Sequence, residues 1–247
     1  MHVYTDNFFK EHHSDCERSA EQVVPLLISL FKPDSILDVG CGDGTWLSRF
    51  AARSVQDYIG VDGDYVSPKV LRIPSGHFIC HDLSKPFDLK RRFDIVMSLE
   101  VAEHLPEQTA QAFVQSLISH GDLIVFSAAI PGQYGEHHIN EQWPSYWVSL
   151  FHLYGFKAFD VLRWRIWNDS KVTWWYRQNM IVFATPDRAS SIPALCEEGL
   201  PQHMFPLDVA HPGLMNFFRS TLQTDASIRL LGIKLIKLSI RRFLRMT

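Results

Sequence analysis

Apolar residues along the chain alternate between short unbroken runs and stretches in which they recur every three or four positions. Five runs have the length of a strand: 35–39 (SILDV), 58–61 (YIGV), 77–80 (HFIC), 93–99 (FDIVMSL) and 123–126 (LIVF). Between them the spacing is helical, through Trp46, Leu47, Phe50 and Ala51 and again through Ala110, Phe113, Val114 and Leu117. Upstream, Ser19 and Gln22 form a capping box before a stripe at Val23, Leu27, Leu30 and Phe31, and Pro25 is expected to kink or shorten that helix. Continuous apolar strands alternating with helices predict a parallel sheet covered on both faces. From 156 to 184 the pattern becomes two apolar runs around a polar, aromatic-rich connection, 164–176, which predicts an antiparallel hairpin closing the sheet edge. The expected fold is α/β: a doubly wound, mostly parallel seven-stranded sheet with an antiparallel edge hairpin and a helical C-terminal extension.

Composition bounds this picture. A chain of 247 residues is long enough for one α/β domain with additions. At 46% hydrophobic residues it can bury a sizeable core, and no run of about 18 apolar residues is present to span a bilayer. Cys16, Cys41, Cys80 and Cys196 include no CxxC pair, and the opening MHVYTDNFFKEHH lacks the apolar segment of a secretory signal, so a cytoplasmic setting is expected. The net charge of −3 conceals an imbalance, because residues 228–247 hold six of the 24 Lys and Arg and none of the 27 Asp and Glu. The acidic body that remains disfavours a nucleic-acid partner, which needs clustered basic side chains.

In the basic tail, Lys234, Lys237, Arg241 and Arg245 take one side of a helical wheel, and Ile233, Ile236, Ile240, Phe243 and Leu244 take the other. The pattern suits a helix packed on the acidic body, a docking helix for a protein partner, or a peripheral helix on the inner face of a membrane. Pro201, Pro206 and Pro212 make the stretch before it an irregular linker. The expected organisation is an N-terminal segment at 1–19, a domain at 20–187 and an extension at 188–247. Tyr4, Phe8, Phe9, His12 and His13 in the first segment either fold over a ligand as a lid or stay disordered.

The first informative motif is a strand ending in Asp38 followed by Gly40, Gly42 and Gly44 at the opening of a helix. Without Cβ atoms, such a loop lets backbone amides approach a ligand closely. Asp62 ends the next strand, where a carboxylate can accept both hydroxyls of a ribose, so a nucleoside cofactor is implied. A dinucleotide loop would have glycine where Thr45 stands. A tight strand-to-helix turn without any ligand is the other reading of the glycines.

The motifs at 36–46 (ILDVGCGDGTW), 58–62 (YIGVD), 80–83 (CHDL) and 93–106 (FDIVMSLEVAEHLP) resemble, in order and spacing, those of class I S-adenosylmethionine-dependent methyltransferases. The resemblance spans roughly residues 20 to 184. It implies that Asp38 and the backbone of Gly40, Gly42 and Gly44 hold the methionine part of S-adenosylmethionine and that Asp62 holds the ribose. Asp82 and Leu83 would then flank the adenine, and Leu99 and Glu100 would border the sulfonium. Cys41 in the glycine loop and Gly63 beside Asp62 complete the implied cofactor set.

The second cluster is Glu100, Glu103 and His104. If a helical turn follows the strand ending at Leu99, these positions share one face. Carboxylates with an imidazole can hold Mg²⁺ or another divalent cation, and His138, in a His-rich stretch after the fifth strand, could complete the set. The E-x-x-E-H pattern with a later His resembles the metal-dependent O-methyltransferases of ubiquinone biosynthesis and of small-RNA 3′ ends. Alternatively, Glu103 and His104 start a helix and pack, as in methyltransferases without a metal.

Methyl transfer is an in-line displacement, so the protein mainly positions the acceptor and removes its proton. A His general base or a metal-lowered hydroxyl pKa serves an alcohol or phenol best, and Glu103, His104, His137 and His138 are the candidates for that work. The aromatic segments 142–148 (QWPSYWV) and 172–179 (VTWWYRQN) are similar to methyltransferases of bacterial polysaccharide and natural-product modification. Their rings can pack on saccharide faces, or Trp174 and Trp175 can simply cover a sheet edge. The expected activity is O-methylation of a hydroxyl on a saccharide or natural-product-type small molecule. The alternatives are 2′-O-methylation at RNA 3′ ends and a noncatalytic cofactor-binding subunit.

Overall fold

The computed structural model describes residues 6–196 and 207–217, with side chains from residue 14 onward. It divides into two compact units, 1–209 and 210–247. In the second unit the described residues form one short helix, 212–217, whose start is closed by Gly213 N donating to His211 Nδ1 at 2.9 Å. The charged and apolar tail positions from Ile233 to Arg245 lie outside the described residues.

The first unit is a seven-stranded sheet in the order β3-β2-β1-β4-β5-β7-β6. Its strands are β1 (Ser35–Val39), β2 (Asp57–Asp62), β3 (Phe78–Cys80), β4 (Ile95–Leu99), β5 (Leu123–Ser127), β6 (Lys157–Phe159) and β7 (Ile181–Ala184). The first five pair in parallel, and β7 runs antiparallel to both β5 and β6. The predicted edge hairpin is therefore present, with two short helices, α5 (Arg163–Ile166) and α6 (Trp174–Asn179), in its connection. Strand order reverses between β1 and β4, which opens a crevice beyond their carboxyl ends, where ligands bind in open α/β sheets.

All five residues of β4 and of β5 are buried, as expected of strands covered on both faces. On one face Ile36, Ile95, Met97 and Val125 pack with Val23, Leu27, Leu47 and Phe50 of α1 (Asp6–Phe31) and α2 (Thr45–Ala51). On the other, Leu37, Val96, Ile124 and Phe126 pack with Phe113 and Leu117 of α3 (Ala110–Ser119) and Phe151 of α4 (Pro144–His152). The period of two along each strand produces this division. Phe151 stacks on Phe183 with centroids 3.9 Å apart, and burying one such ring stabilises the fold by about 1.5–3 kcal/mol.

Helix α1 starts well before the capping box read at Ser19 and continues through Pro25. Ser19 is fully buried and ties α1 to the hairpin connection: it donates to Asp15 O at 2.7 Å, lies 2.9 Å from Thr173 Oγ1 and accepts from Thr173 N at 3.0 Å. Pro25 sits on the solvent side, where water can satisfy the carbonyl its missing N–H leaves unbonded. Among the described residues no helix is long and apolar enough to cross a membrane.

Candidate functional site

The glycine loop is built by left-handed backbone. Gly40, Gly42 and Gly44 have φ of 85°, 55° and 80°, a region costly to residues with a Cβ. A Cβ on Gly40 would stand 2.2 Å from Val101 Cγ2, and one on Gly44 would stand 2.8 Å from Ile73 Cγ1. Arg72 holds the far side, donating through its backbone N to Asp43 O at 2.8 Å and through Nε to Asp43 Oδ2 at 3.1 Å. The loop is fastened to β2 by Gly40 N donating to Val61 O at 2.8 Å.

Two carboxylates face this loop from the strand ends. Asp62 is buried and accepts from Gly42 N at 2.6 Å, from Gly63 N at 2.7 Å and from the Tyr65 hydroxyl. Burial raises its pKa, and these three donors oppose the rise. Asp38 is equally buried, and its Oδ2 has no hydrogen-bond partner. Burial first, and then the charge of Asp62, push its pKa up to about 8. A buried carboxylate with an orphaned oxygen beside glycine amides is suited to a ligand that is itself cationic.

Beyond β4 the chain departs from the expected helical turn. Glu100 takes a left-handed φ of 56° and donates its amide to Ser127 O at 3.0 Å, so only Ala102–His104 form a single 3₁₀ turn. Glu100 therefore does not share a face with Glu103 and His104, contrary to expectation. Its carboxylate accepts from Asn179 Nδ2 at 3.0 Å and from Gln133 Nε2 at 2.8 Å, within a network that Gln178 extends. Burial raises the Glu100 pKa, and its bonds to Asn179, Ser127 and Gln133 oppose that rise.

The other three expected ligands do converge. Glu103, His104 and His138 each present a ligand atom within 4.8 Å of the others, the one such group among the described residues. His138 is brought there by main-chain bonds: Ile139 N and Asn140 N both donate to Glu103 O, at 2.9 and 3.0 Å. The His104 and His138 rings meet edge to face at 4.9 Å. Glu103 is 1% exposed, and neither carboxylate oxygen meets a side-chain donor; only its own amide and that of Ala129 favour the charged form. Burial, and next the charge of Glu100, hold its pKa well above the usual carboxylate range. Burial and then His138 lower the His104 pKa to about 4, against a bond to the His137 backbone, which keeps that imidazole in the neutral form that ligates cations. A Cβ on Gly135 would stand 2.2 Å from His138 Nε2, so the ring can sit where it does only with glycine at 135.

Residues 11–164 match the family model described as a methyltransferase domain. The chain belongs to the methyltransferase-domain family. No curated protein matches its sequence. In fold this methyltransferase is similar to the methyltransferase domain of bacterial CtHen1-C, with 20% identity, a TM-score of 0.51, and 68% of this chain and 97% of that one covered. It is also similar to DesVI of Streptomyces venezuelae (17% identity, TM-score 0.51, 73% and 96% covered). A third similar structure is CalS10, an amino pentose methyltransferase from Micromonospora echinaspora involved in calicheamicin biosynthesis (15% identity, TM-score 0.52, 74% and 98% covered). The enzyme is a class I, S-adenosylmethionine-dependent methyltransferase.

The remaining expected residues of the methyltransferase are placed as follows. Cys41 is buried inside the loop, with its Sγ 2.6 Å from where a Cβ on Gly60 would stand. Leu83 and Leu99 are buried at the crevice ends of their segments. Asp82 is exposed and caps its own turn, accepting from Ser84 Oγ at 2.6 Å and pairing with Lys85 at 3.1 Å. His137 is exposed and outside the Glu103 cluster. Tyr4 lies outside the described residues, and Phe8, Phe9, His12 and His13 lie in α1 with undescribed side chains. Trp175 packs against the core, as a sheet-covering residue does. Sequence reasoning missed Tyr65, Gln133, Gln178 and Asn179, whose roles depend on contacts across 33 to 79 positions or on a local ring placement no spacing rule encodes.

Proposed function

We propose that the enzyme transfers the methyl group of S-adenosylmethionine to a hydroxyl oxygen of a saccharide or natural-product-type small molecule, assisted by a divalent cation held by Glu103, His104 and His138. The observation that carries this reading is the buried carboxylate of Glu103, which meets no side-chain donor and converges with two imidazoles. An uncompensated buried carboxylate is costly, and a cation removes the cost. The oxygen and nitrogen donors suit Mg²⁺, Mn²⁺ or a related ion. When bound, such an ion would lower the pKa of a coordinated hydroxyl.

The chain's own residues supply the rest. In this reading the Gly40, Gly42 and Gly44 loop, whose own amides donate to Val61 O, Asp62 and Cys41 O, lets the backbone come close to the donor, Asp38 meets its cationic part, and Asp62 accepts from the ribose hydroxyls. Val101 joins the two halves of the site, since it lies against Gly40 and directly precedes the Glu103 turn. In the segment that carries His138, Tyr134, Ile139 and Trp143 are exposed, and such surfaces fit the C–H-rich faces of a sugar or an apolar ring.

The test is methyl transfer from labelled S-adenosylmethionine to a panel of glycosides, phenols and RNA oligonucleotides, with and without EDTA. Oxygen-methylated small molecules formed only with a divalent ion are expected. Activity unchanged by EDTA and near normal in Glu103→Ala would remove the metal, and methylation of RNA alone would overturn the acceptor class.

A further inference from the structure

His138 is held from behind by a carboxylate. Glu141 Oε1 lies 2.9 Å from His138 Nδ1, with both side chains largely shielded from solvent. The same carboxylate accepts from Gly132 N at 2.7 Å through Oε2 and from Tyr134 N at 2.8 Å through Oε1. These two amides belong to a segment with left-handed backbone at Gly132, Tyr134 and His137, a conformation that surrounding contacts must hold in place. Glu141 thus binds both ends of the turn that presents the imidazole.

The chemistry of the pair decides the tautomer. An ionised carboxylate can only accept, so the ring nitrogen facing it carries the hydrogen, and Nε2 is left with the lone pair. Nε2 is also the nitrogen that needs a glycine at 135, since a Cβ there would stand 2.2 Å from it. Carboxylates that take the second nitrogen of a ligating histidine fix its orientation and raise its basicity.

We propose that Glu141 is a positioning residue: it locks the His138 ring with Nδ1 protonated, so that Nε2 is the atom offered to the Glu103 and His104 cluster. The proposal rests on the metal-assisted reading above, and it extends that site to a residue outside the ligand cluster. Gln133 lies between the two amides that Glu141 holds and itself bonds Glu100, so Glu141 also ties the imidazole turn to the Glu100 network.

Long-range ¹H–¹⁵N NMR on the metal-free full chain tests the tautomer. Wild type is expected to show His138 with Nδ1–H and an unprotonated Nε2, and Glu141→Ala a majority of Nε2–H. A wild-type ring with Nε2–H, or a tautomer unchanged by the substitution, would overturn the proposal. Mn²⁺ titration followed by EPR is the second readout, with affinity expected to fall about 10- to 100-fold in Glu141→Ala. Glu141→Gln keeps the side-chain length and one acceptor oxygen; it is expected to fall between, and it decides the matter if the alanine variant does not fold. Equal Mn²⁺ affinity in wild type and both variants would overturn the positioning role and leave the metal standing. An Nδ1–H tautomer in a wild type that binds no Mn²⁺ would sink the metal reading while the positioning held.

Discussion

Val101 and Gly40 are in direct contact: the valine Cγ2 lies 2.2 Å from the point where a Cβ on residue 40 would be. The cofactor loop after β1 and the acidic turn after β4 are therefore one packed unit across the crevice of the sheet. Gly40→Ala meets two separate costs, about 1–2 kcal/mol for a left-handed alanine and about 1–3 kcal/mol for overpacking against the valine. Adding Val101→Ala is expected to restore the second part and not the first. Denaturant midpoints of the two single variants and the double variant check this, and simple additivity would contradict the contact.

Asp38 gives the fold a pH dependence with a definite sign. Its folded pKa of about 8 lies above the ordinary carboxylate value of about 3.9, so protonation is favoured on folding. The contribution is present in full below pH about 4 and is lost as pH rises through about 8. Asp38→Asn escapes that loss. The stability of the variant relative to wild type should rise between pH 5 and 8.5 and then level off; a difference that is flat with pH would contradict the shift.

The same group links cofactor binding to protons. A cationic donor placed against Asp38 favours its ionised form, so binding near pH 7 should release protons. Calorimetric titration of S-adenosylhomocysteine, whose amino group carries the charge, in buffers of different ionisation enthalpy would show this release. It should vanish in Asp38→Asn, where any remaining binding is also expected to be weaker.

The stack of Phe151 on Phe183 joins α4 to β7 in the second core. Phe151→Ala is expected to destabilise the fold by about 3–5 kcal/mol, measured by chemical denaturation. A loss under 1 kcal/mol would mean that the α4 side of the sheet collapses easily around a cavity.

The sheet was legible because its strands are unbroken apolar runs at regular intervals, and the glycine loop because each glycine stands at a position of positive φ. Helix α1 was read short: a buried Ser19 that bonds Thr173 looks in sequence like an N-cap. Glu100 was grouped with Glu103 and His104 by helical spacing, and one left-handed residue broke that spacing. Asn179 reaches Glu100 across the β7 and β5 pairing, Gln133 reaches it from the loop after β5, and Gln178 joins the two, long-range contacts without local signature.

The Glu103, His104 and His138 cluster is tested most directly by counting bound Mn²⁺ on the full chain by EPR, for wild type and for Glu103→Gln. One Mn²⁺ per wild-type chain is expected, with binding lost or weakened at least tenfold in the variant, while both proteins bind S-adenosylhomocysteine alike. No stoichiometric Mn²⁺ in wild type, or the same binding in Glu103→Gln, would contradict the assignment of a cation to this cluster.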